Sequence, residues 1–194
     1  MIKLPKEAQD VIDTFHTHDY EAYAVGGSVR DLLIGRQTHG WDFTTNATPE
    51  EILKLFPDSF YDNQFGTVGL KLRGQDGETV TDIFEVTTYR SEQGYEDHRH
   101  PDNITWGKTL QEDLARRDFT INSIACDGTT IIDPYEGQKD LQAKLIQTVG
   151  DPNERFAEDA LRMMRAVRQA TELGFMIEPK TLEAIKNNVK LALN

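Results

Sequence analysis

The sequence predicts an α+β fold, with a mixed sheet and flanking helices over residues 1–150 and an all-helical segment over residues 151–194. Three observations predict it. A short strand, a glycine pair and a helix follow one another between Glu21 and Gly35. The runs Thr67–Leu72 and Glu78–Tyr89, joined by Gly74-Gln-Asp-Gly77, read as paired strands. Beyond Gly150 only helical apolar spacing remains.

From the amino terminus, Ala8, Val11, Ile12 and Phe15 fall at helical spacing within Pro5–His18. Glu21-Ala-Tyr-Ala-Val25 reads as a strand, Gly26-Gly27 as a tight turn, and Ser28–Ile34 as a helix ending near Gly35. Trp41–Thr45 is a second strand. Thr48-Pro-Glu-Glu51 opens the next helix, with Thr48 as cap, Pro49 at the first position and Glu51 closing a capping box. Residues Arg90–Lys108 are polar, lack a period and contain Gly94, Pro101 and Gly107, so a long mobile loop is expected. A short helix near Leu110–Arg116, strands near Ile121–Ala125 and Thr130–Ile132, and a helix from about Glu136 follow. Phe156, Ala160, Met163, Met164, Val167 and Ala170 form an apolar stripe on one helix, and a second helix runs from Pro179.

With 194 residues, 38% of them hydrophobic, the chain can bury a core for one compact domain plus a helical extension. The lone Cys126 excludes an intramolecular disulfide, and the start Met-Ile-Lys-Leu-Pro-Lys-Glu-Ala has no apolar signal region. A cytoplasmic location is expected. No stretch approaches the roughly 20 apolar residues of a membrane-spanning helix. The formal charge of −12 argues against a self-sufficient nucleic-acid binder. Arginines nevertheless cluster: Arg116 and Arg117 adjoin, and Arg155, Arg162, Arg165 and Arg168 fall within one predicted helix. The pattern sets no oligomeric state.

In Gly26-Gly27-Ser28-Val29-Arg30-Asp31, glycines would let backbone N–H groups approach phosphate oxygens at a helix start, with Arg30 adding a charged fork. The alternative is that Ser28 and Asp31 form a capping box after a sharp turn. Asp42 on one strand and Glu85 on a possible neighbour could supply the carboxylates that nucleotidyl transfer uses to hold Mg²⁺. Taken singly, each reads as a solvated strand residue. His98-Arg99-His100 lacks further close ligands, so no zinc site is expected there. Trp41 and Trp106 could stack on a base, although packing against the sheet suits Trp41 better.

The order Gly26-Gly27-x-x-Arg30-Asp31, Gly35, Asp42-x-x-Thr45-x-Ala47 resembles the head domain of bacterial CCA-adding enzymes and related poly(A) polymerases, in the polymerase-β nucleotidyltransferase superfamily. Arg116-Arg117-Asp118-Phe119-Thr120-Ile121-Asn122 is similar to the family's second motif. Asp133-Pro134, Gly137, Asp140-Leu141 and Val149-Gly150-Asp151-Pro152 follow its next one. Arg155-Phe156-x-Glu158-Asp159-Ala160-Leu161-Arg162-Met163-x-Arg165-Ala166 resembles its nucleotide-selecting helix.

The resemblance implies a polymerase-β-like head over residues 1–150 and a nucleotide-selecting helical neck over 151–194. It implies addition of C and A to the 3′ end of tRNA from CTP and ATP with Mg²⁺. By the same resemblance Asp42 and Glu85 would be catalytic metal ligands. Gly26, Gly27, Ser28, Arg30, Arg117, Asp118, Asn122, Asp159, Arg162 and Arg165 would bind nucleotide. A related poly(A)-adding or partial CCA-adding product is the alternative within the family, and an inactive CTP/ATP-binding module the alternative outside it.

Asp159 and Arg162, three residues apart, would share a helix face and offer an acceptor beside a fork of donors. Cytosine and adenine each present an amine donor beside a ring-nitrogen acceptor, whereas uracil and guanine place an N–H where Arg162 also donates. The bland reading of the pair is a surface salt bridge.

Two departures stand out. The family's strand motif is Asp-x-Asp, and aligning Asp42 with its second aspartate puts Gly40 where the first carboxylate should be, so impaired chemistry is expected unless His39 or a water compensates. Family enzymes also continue into helical body and tail regions, and this chain stops at Asn194, which implies a truncated or minimal form.

Overall fold

The computed structural model describes residues 3–38, 40–61, 66–74, 76–93, 103–107 and 109–193. Helix α1 (Lys6–His16) buries Ala8, Val11, Ile12 and Phe15, the face its spacing predicts. Strand β1 (Ala22–Val25) runs straight into α2 (Gly26–Leu33), so the expected Gly-Gly turn is absorbed into the helix start. Strand β2 (Asp42–Thr45) precedes α3 (Pro49–Leu55), which carries the full Thr48/Glu51 capping box. An edge strand β3 (Ser59–Tyr61), β4 (Thr67–Arg73) and β5 (Val80–Thr88) follow. Then come β6 (Arg90–Gln93), β7 (Asn103–Trp106), α4 (Leu110–Ala115), a 3₁₀ turn (Thr120–Asn122), β8 (Ala125–Cys126) and β9 (Ile131–Ile132). The chain continues through α5 (Gly137–Ala143), β10 (Leu145–Ile146), α6 (Pro152–Glu158), α7 (Leu161–Leu173), β11 (Met176–Ile177) and α8 (Pro179–Asn188).

The seven-stranded sheet has the order β3-β4-β5-β2-β1-β8-β9. Only β2 and β5 pair in parallel, so the sheet is mixed, as the sequence predicts. Because strand side chains alternate between faces, one face contributes Phe43, Val68, Leu70, Phe84 and Val86 to the main core under α1 and α3. The opposite face carries Asp42, Glu85, Thr67 and Thr87. On that side Val25, Leu114 and Ala125 form a small second cluster that seats α4.

Several expectations are corrected. Part of the expected loop Arg90–Lys108 is an antiparallel pair, β6 with β7. The arm Arg90–Gln93 has no apolar residue, and the alternation Ile104/Trp106 in the other is only four residues long, too short to stand out. Residues 94–102 and 108, and with them His98, Arg99 and His100, lie outside the described residues, as does His39. The strand expected over Ile121–Ala125 begins only at Ala125. Before it the chain turns, and Ser123 donates its hydroxyl to Leu114 O at 2.6 Å.

The single helix expected to carry all four arginines is two. Asp159 adopts an extended backbone (φ −141°, ψ 104°) and ends α6, and its Oδ1 accepts the Leu161 N–H at 2.9 Å. The break re-aims the stripe, leaving Met164 and Val167 exposed while Met163, Ala166 and Gln169 are buried. The region beyond residue 151 also contains a strand, β11, paired in parallel with β10, and Ala166, Ala170, Leu173 and Phe175 pack on the main core. Among the described residues no helix is long and apolar enough to cross a membrane.

Candidate nucleotide and metal site

A cavity of about 710 Å³ opens on the Asp42/Glu85 face of the sheet. Gly26, Gly27, Arg30, Asp42, Glu85, Arg117, Asp118, Asn122, Asp159, Arg162 and Arg165 all line it, so residues picked from four separate motifs converge. Ser28 does not line it; its buried hydroxyl donates to Val25 O at 2.9 Å. Gly40 does not line it either.

The turn and the carboxylates meet closely. Gly26 has φ +75°, and a Cβ there would lie 3.1 Å from Asp42 Oδ2 and 3.3 Å from Arg117 Nη1. Only glycine satisfies both conditions. No side chain caps α2, so the proposed Ser28/Asp31 capping box is not formed. Its first-turn N–H groups are left without a capping side chain. Asp31 instead takes a two-pronged pair from Arg30, at 2.9 and 3.1 Å. Arg30 Nη1 donates to Asn122 Oδ1 at 2.9 Å. Arg30 therefore braces the turn through Nε, Nη1 and one Nη2 donor while still lining the cavity.

Asp42 and Glu85 are direct register partners on β2 and β5. Burial pushes the Asp42 carboxyl above the usual carboxylate range, while Arg117, Arg165 and Arg30 pull it back. A desolvated carboxylate beside a second one suits a cation. Mg²⁺ takes hard oxygen ligands, commonly one or two carboxylates completed by substrate phosphates. Among the described residues no group of three His, Cys, Asp or Glu side chains could hold a metal. The pair thus fits an ion shared with a triphosphate, and not a closed protein cage. At Gly40 the backbone sits at φ +65°, its N–H donating to Asp82 Oδ2 at 3.1 Å, and no carboxylate is supplied.

Two buried aspartates organise the arginines. Asp113 is fully buried and accepts from Arg116 (2.7 and 3.0 Å) and Arg117 (3.1 Å). Burial alone would raise its carboxyl, but the two guanidiniums outweigh that and hold it below the usual range. Asp118 accepts from Arg165 at 2.7 and 2.8 Å, from Asn122 Nδ2 at 3.0 Å and from the Phe119 N–H at 2.8 Å. Against its burial, the Arg165 charge and these bonds keep it low.

The Asp159–Arg162 geometry differs from the shared helix face expected. Asp159 stands at the break, with Oδ2 4.0 Å from Arg162 Nε. Arg162 is 7% exposed and is pinned by Glu158 at 2.7 Å, with carbonyl bonds to Arg155 and Arg116 at 3.4 and 3.2 Å. Those contacts occupy Nη1 and one donor of Nη2. Its Nε lies on the Asp159 side, and the residue lines the cavity.

A family model described as Poly A polymerase head domain matches residues 22–147. The chain belongs to that family. It is 48% identical over 188 residues to a CCA-adding enzyme of Geobacillus kaustophilus, covering 96% of this chain and 45% of the relative. A CCA-adding enzyme of Lactobacillus helveticus is 47% identical over 199 residues, covering 98% and 48% respectively. The chain therefore spans about half the length of the relatives it matches. Its fold superposes on a Bacillus stearothermophilus CCA-adding enzyme in complex with CTP with a TM-score of 0.83 at 42% identity, covering 96% of this chain and 44% of that one. A tRNA nucleotidyltransferase complexed with a primer tRNA and an incoming ATP analogue gives a TM-score of 0.72 at 31% identity, over 94% and 51%.

Within this family head, the cavity holds residues that sequence reasoning missed. Among the described residues its lining counts seven arginines against five carboxylates, and several of those arginines pair with carboxylates just behind the wall, so arginine is concentrated here in a chain of net charge −12 while much of its charge is already balanced. Asp113, which lies behind the lining and holds Arg116 and Arg117, was readable in principle because it precedes them at helical pairing distances. Gln169 was not, being a polar residue beside the apolar stripe. Trp41 packs in the core, 3% exposed, with its ring 6.4 Å from Phe43.

Proposed function

We propose that this chain is the nucleotide-handling core of a tRNA nucleotidyltransferase that adds C and A to the 3′ end of tRNA from CTP and ATP without a nucleic-acid template. Residues 1–150 would form its head and residues 151–194 its neck. The observation that carries this reading is a single cavity lined by both the Asp42/Glu85 pair and the Asp159/Arg162 pair.

The Gly26-Gly27 backbone approaches the phosphates, and Arg117, held by Asp113, supplies positive charge beside them. Asp42 and Glu85 would hold Mg²⁺, which when bound would supply activation of the acceptor hydroxyl and charge neutralisation at the phosphates. Asn122, Asp118 and Arg165 set the wall against which the sugar and phosphates rest. Asp159 accepts from the exocyclic amine of cytosine or adenine, while the remaining donors of Arg162 meet the ring nitrogen. Uracil and guanine are refused because their ring N–H faces a donor.

Gly40 favours a second reading, a CTP/ATP-binding module without turnover, because one carboxylate is missing from the metal site. Incubation of the chain with Mg²⁺, tRNA lacking its CCA end and each of the four labelled nucleotides in turn, beside a binding titration with the same nucleotides, separates the two. Incorporation supports the enzyme. Selective binding with no incorporation supports the module, and labelling from GTP or UTP equal to that from CTP sinks both.

A further inference from the structure

Gln169 is 4% exposed on α7 yet lines the cavity. Its Oε1 accepts from Asn122 Nδ2 at 3.1 Å and from Arg30 Nη1 at 3.4 Å. Oxygen and nitrogen of an amide are alike in shape, but here the neighbours decide which is which. Arg30 can only donate, which fixes Asn122 Oδ1 toward it; ionised Asp118 can only accept, which fixes Asn122 Nδ2 toward it. Both groups meeting Gln169 are therefore donors, and its oxygen must face them.

Three elements are joined by this contact. Arg30 belongs to α2, whose start forms the glycine turn, and Asn122 belongs to the 3₁₀ turn beside Asp118. On α7, Arg162, Arg165 and Gln169 are spaced three and four residues apart, so one helix face carries all three.

We propose that Gln169 is a positioning residue for the nucleotide, holding Asn122 and Arg30 in register with Arg162 so that the phosphate end and the base end of the cavity fit one ligand. This inference rests on the nucleotidyltransferase reading above. Without the Gln169 oxygen, Asn122 keeps Asp118 and Arg30 keeps Asp31, so the fold survives. What is lost is the direct bond from α7 to Arg30 and Asn122, leaving only the longer route through Arg165 and Asp118.

The test uses the whole chain with Gln169→Met, which keeps length and helix preference but removes the acceptor, and Gln169→Glu, which keeps an acceptor. Each is titrated with CTP and with UTP in Mg²⁺ and melted thermally. Loss of two bonds that orient ligand-facing groups should weaken CTP binding in the Met variant by about tenfold and narrow the preference for CTP over UTP, with Tm changed by only a few degrees. The Glu variant should return to within about threefold of wild type. A Met variant with wild-type affinity and preference overturns the inference. So does a Glu variant as weak as the Met one, which would assign the effect to the outward amide N–H₂. A wild-type chain that binds neither nucleotide refutes the nucleotidyltransferase reading itself, and this inference with it.

Discussion

Asp118 is the group whose removal most directly tests how the cavity wall is held. Asp118→Asn keeps the shape of a side chain that is 8% exposed, but it loses the charge and turns an amide nitrogen toward Arg165 or Asn122, both of which donate. Two charge-assisted bonds to Arg165 would be worth several kcal/mol if both partners were buried. Arg165 is 47% exposed and can turn to water, which cuts the loss to about 2 kcal/mol. For a chain of this size that is a fall in Tm of about 6 °C near neutral pH, read by calorimetry or circular dichroism. The sign of the pH dependence is fixed too. The folded-state pKa of Asp118 is depressed, so its stabilisation is complete above the unfolded value of about 4 and is lost as pH falls through the folded value. The gap between wild type and variant should be constant from pH 6 to 8 and should close in acid below about pH 4. A Tm change under about 1 °C at neutral pH, or a gap that persists undiminished after acid protonates the wild-type carboxylate, would refute this account of the wall.

Three other perturbations follow from the same geometry. Gly40→Asp should fold, since a Cβ there meets nothing nearer than Ile83 O at 3.9 Å and aspartate tolerates φ +65° at a cost of about 1 kcal/mol. It should raise Mg²⁺-dependent incorporation at least about tenfold in a tRNA end-labelling assay. A variant that binds CTP but stays inert would show that the missing carboxylate is not the main defect. Asp159→Ala should broaden nucleotide choice, measured as the ratio of CTP to UTP affinity; an unchanged ratio contradicts its role in base reading. Gly137→Ala should destabilise by about 2 kcal/mol or more in a thermal melt, because the new Cβ would stand 2.2 Å from Thr120 O; an unchanged Tm would mean that the α5 contact yields easily.

Legibility from sequence followed the reach of each interaction. The Thr48/Glu51 capping box and the α1 face are local patterns, and both were read residue for residue. The glycine turn, Asp42 and Glu85 are visible in the sequence through the order of motifs, and the register of β2 with β5 puts the two carboxylates side by side. What sequence could not reveal depends on tertiary partners. The helix break at Asp159 carries no glycine or proline; it exists because Asp159 bonds Leu161 N–H and because Arg155 and Arg162 both reach across Glu158 to carbonyls at the end of α4. The bracing bond from Arg30 to Asn122 has no signal in sequence, because its partner is 92 residues away. Strand β6 has no apolar residue to announce it, and the Ile104/Trp106 alternation of β7 is too short to do so alone.

The proposed function requires that one cavity select C- and A-nucleotides by protein contacts to the base, without a nucleic-acid template. Calorimetric titration of the chain with CTP, ATP, GTP and UTP in Mg²⁺ tests it without any need for turnover. The account predicts one site that takes CTP and ATP, with GTP and UTP bound at least about tenfold more weakly, the discrimination expected when a buried donor is left facing a donor. Equal affinity for all four nucleotides, or no binding of any, would contradict it.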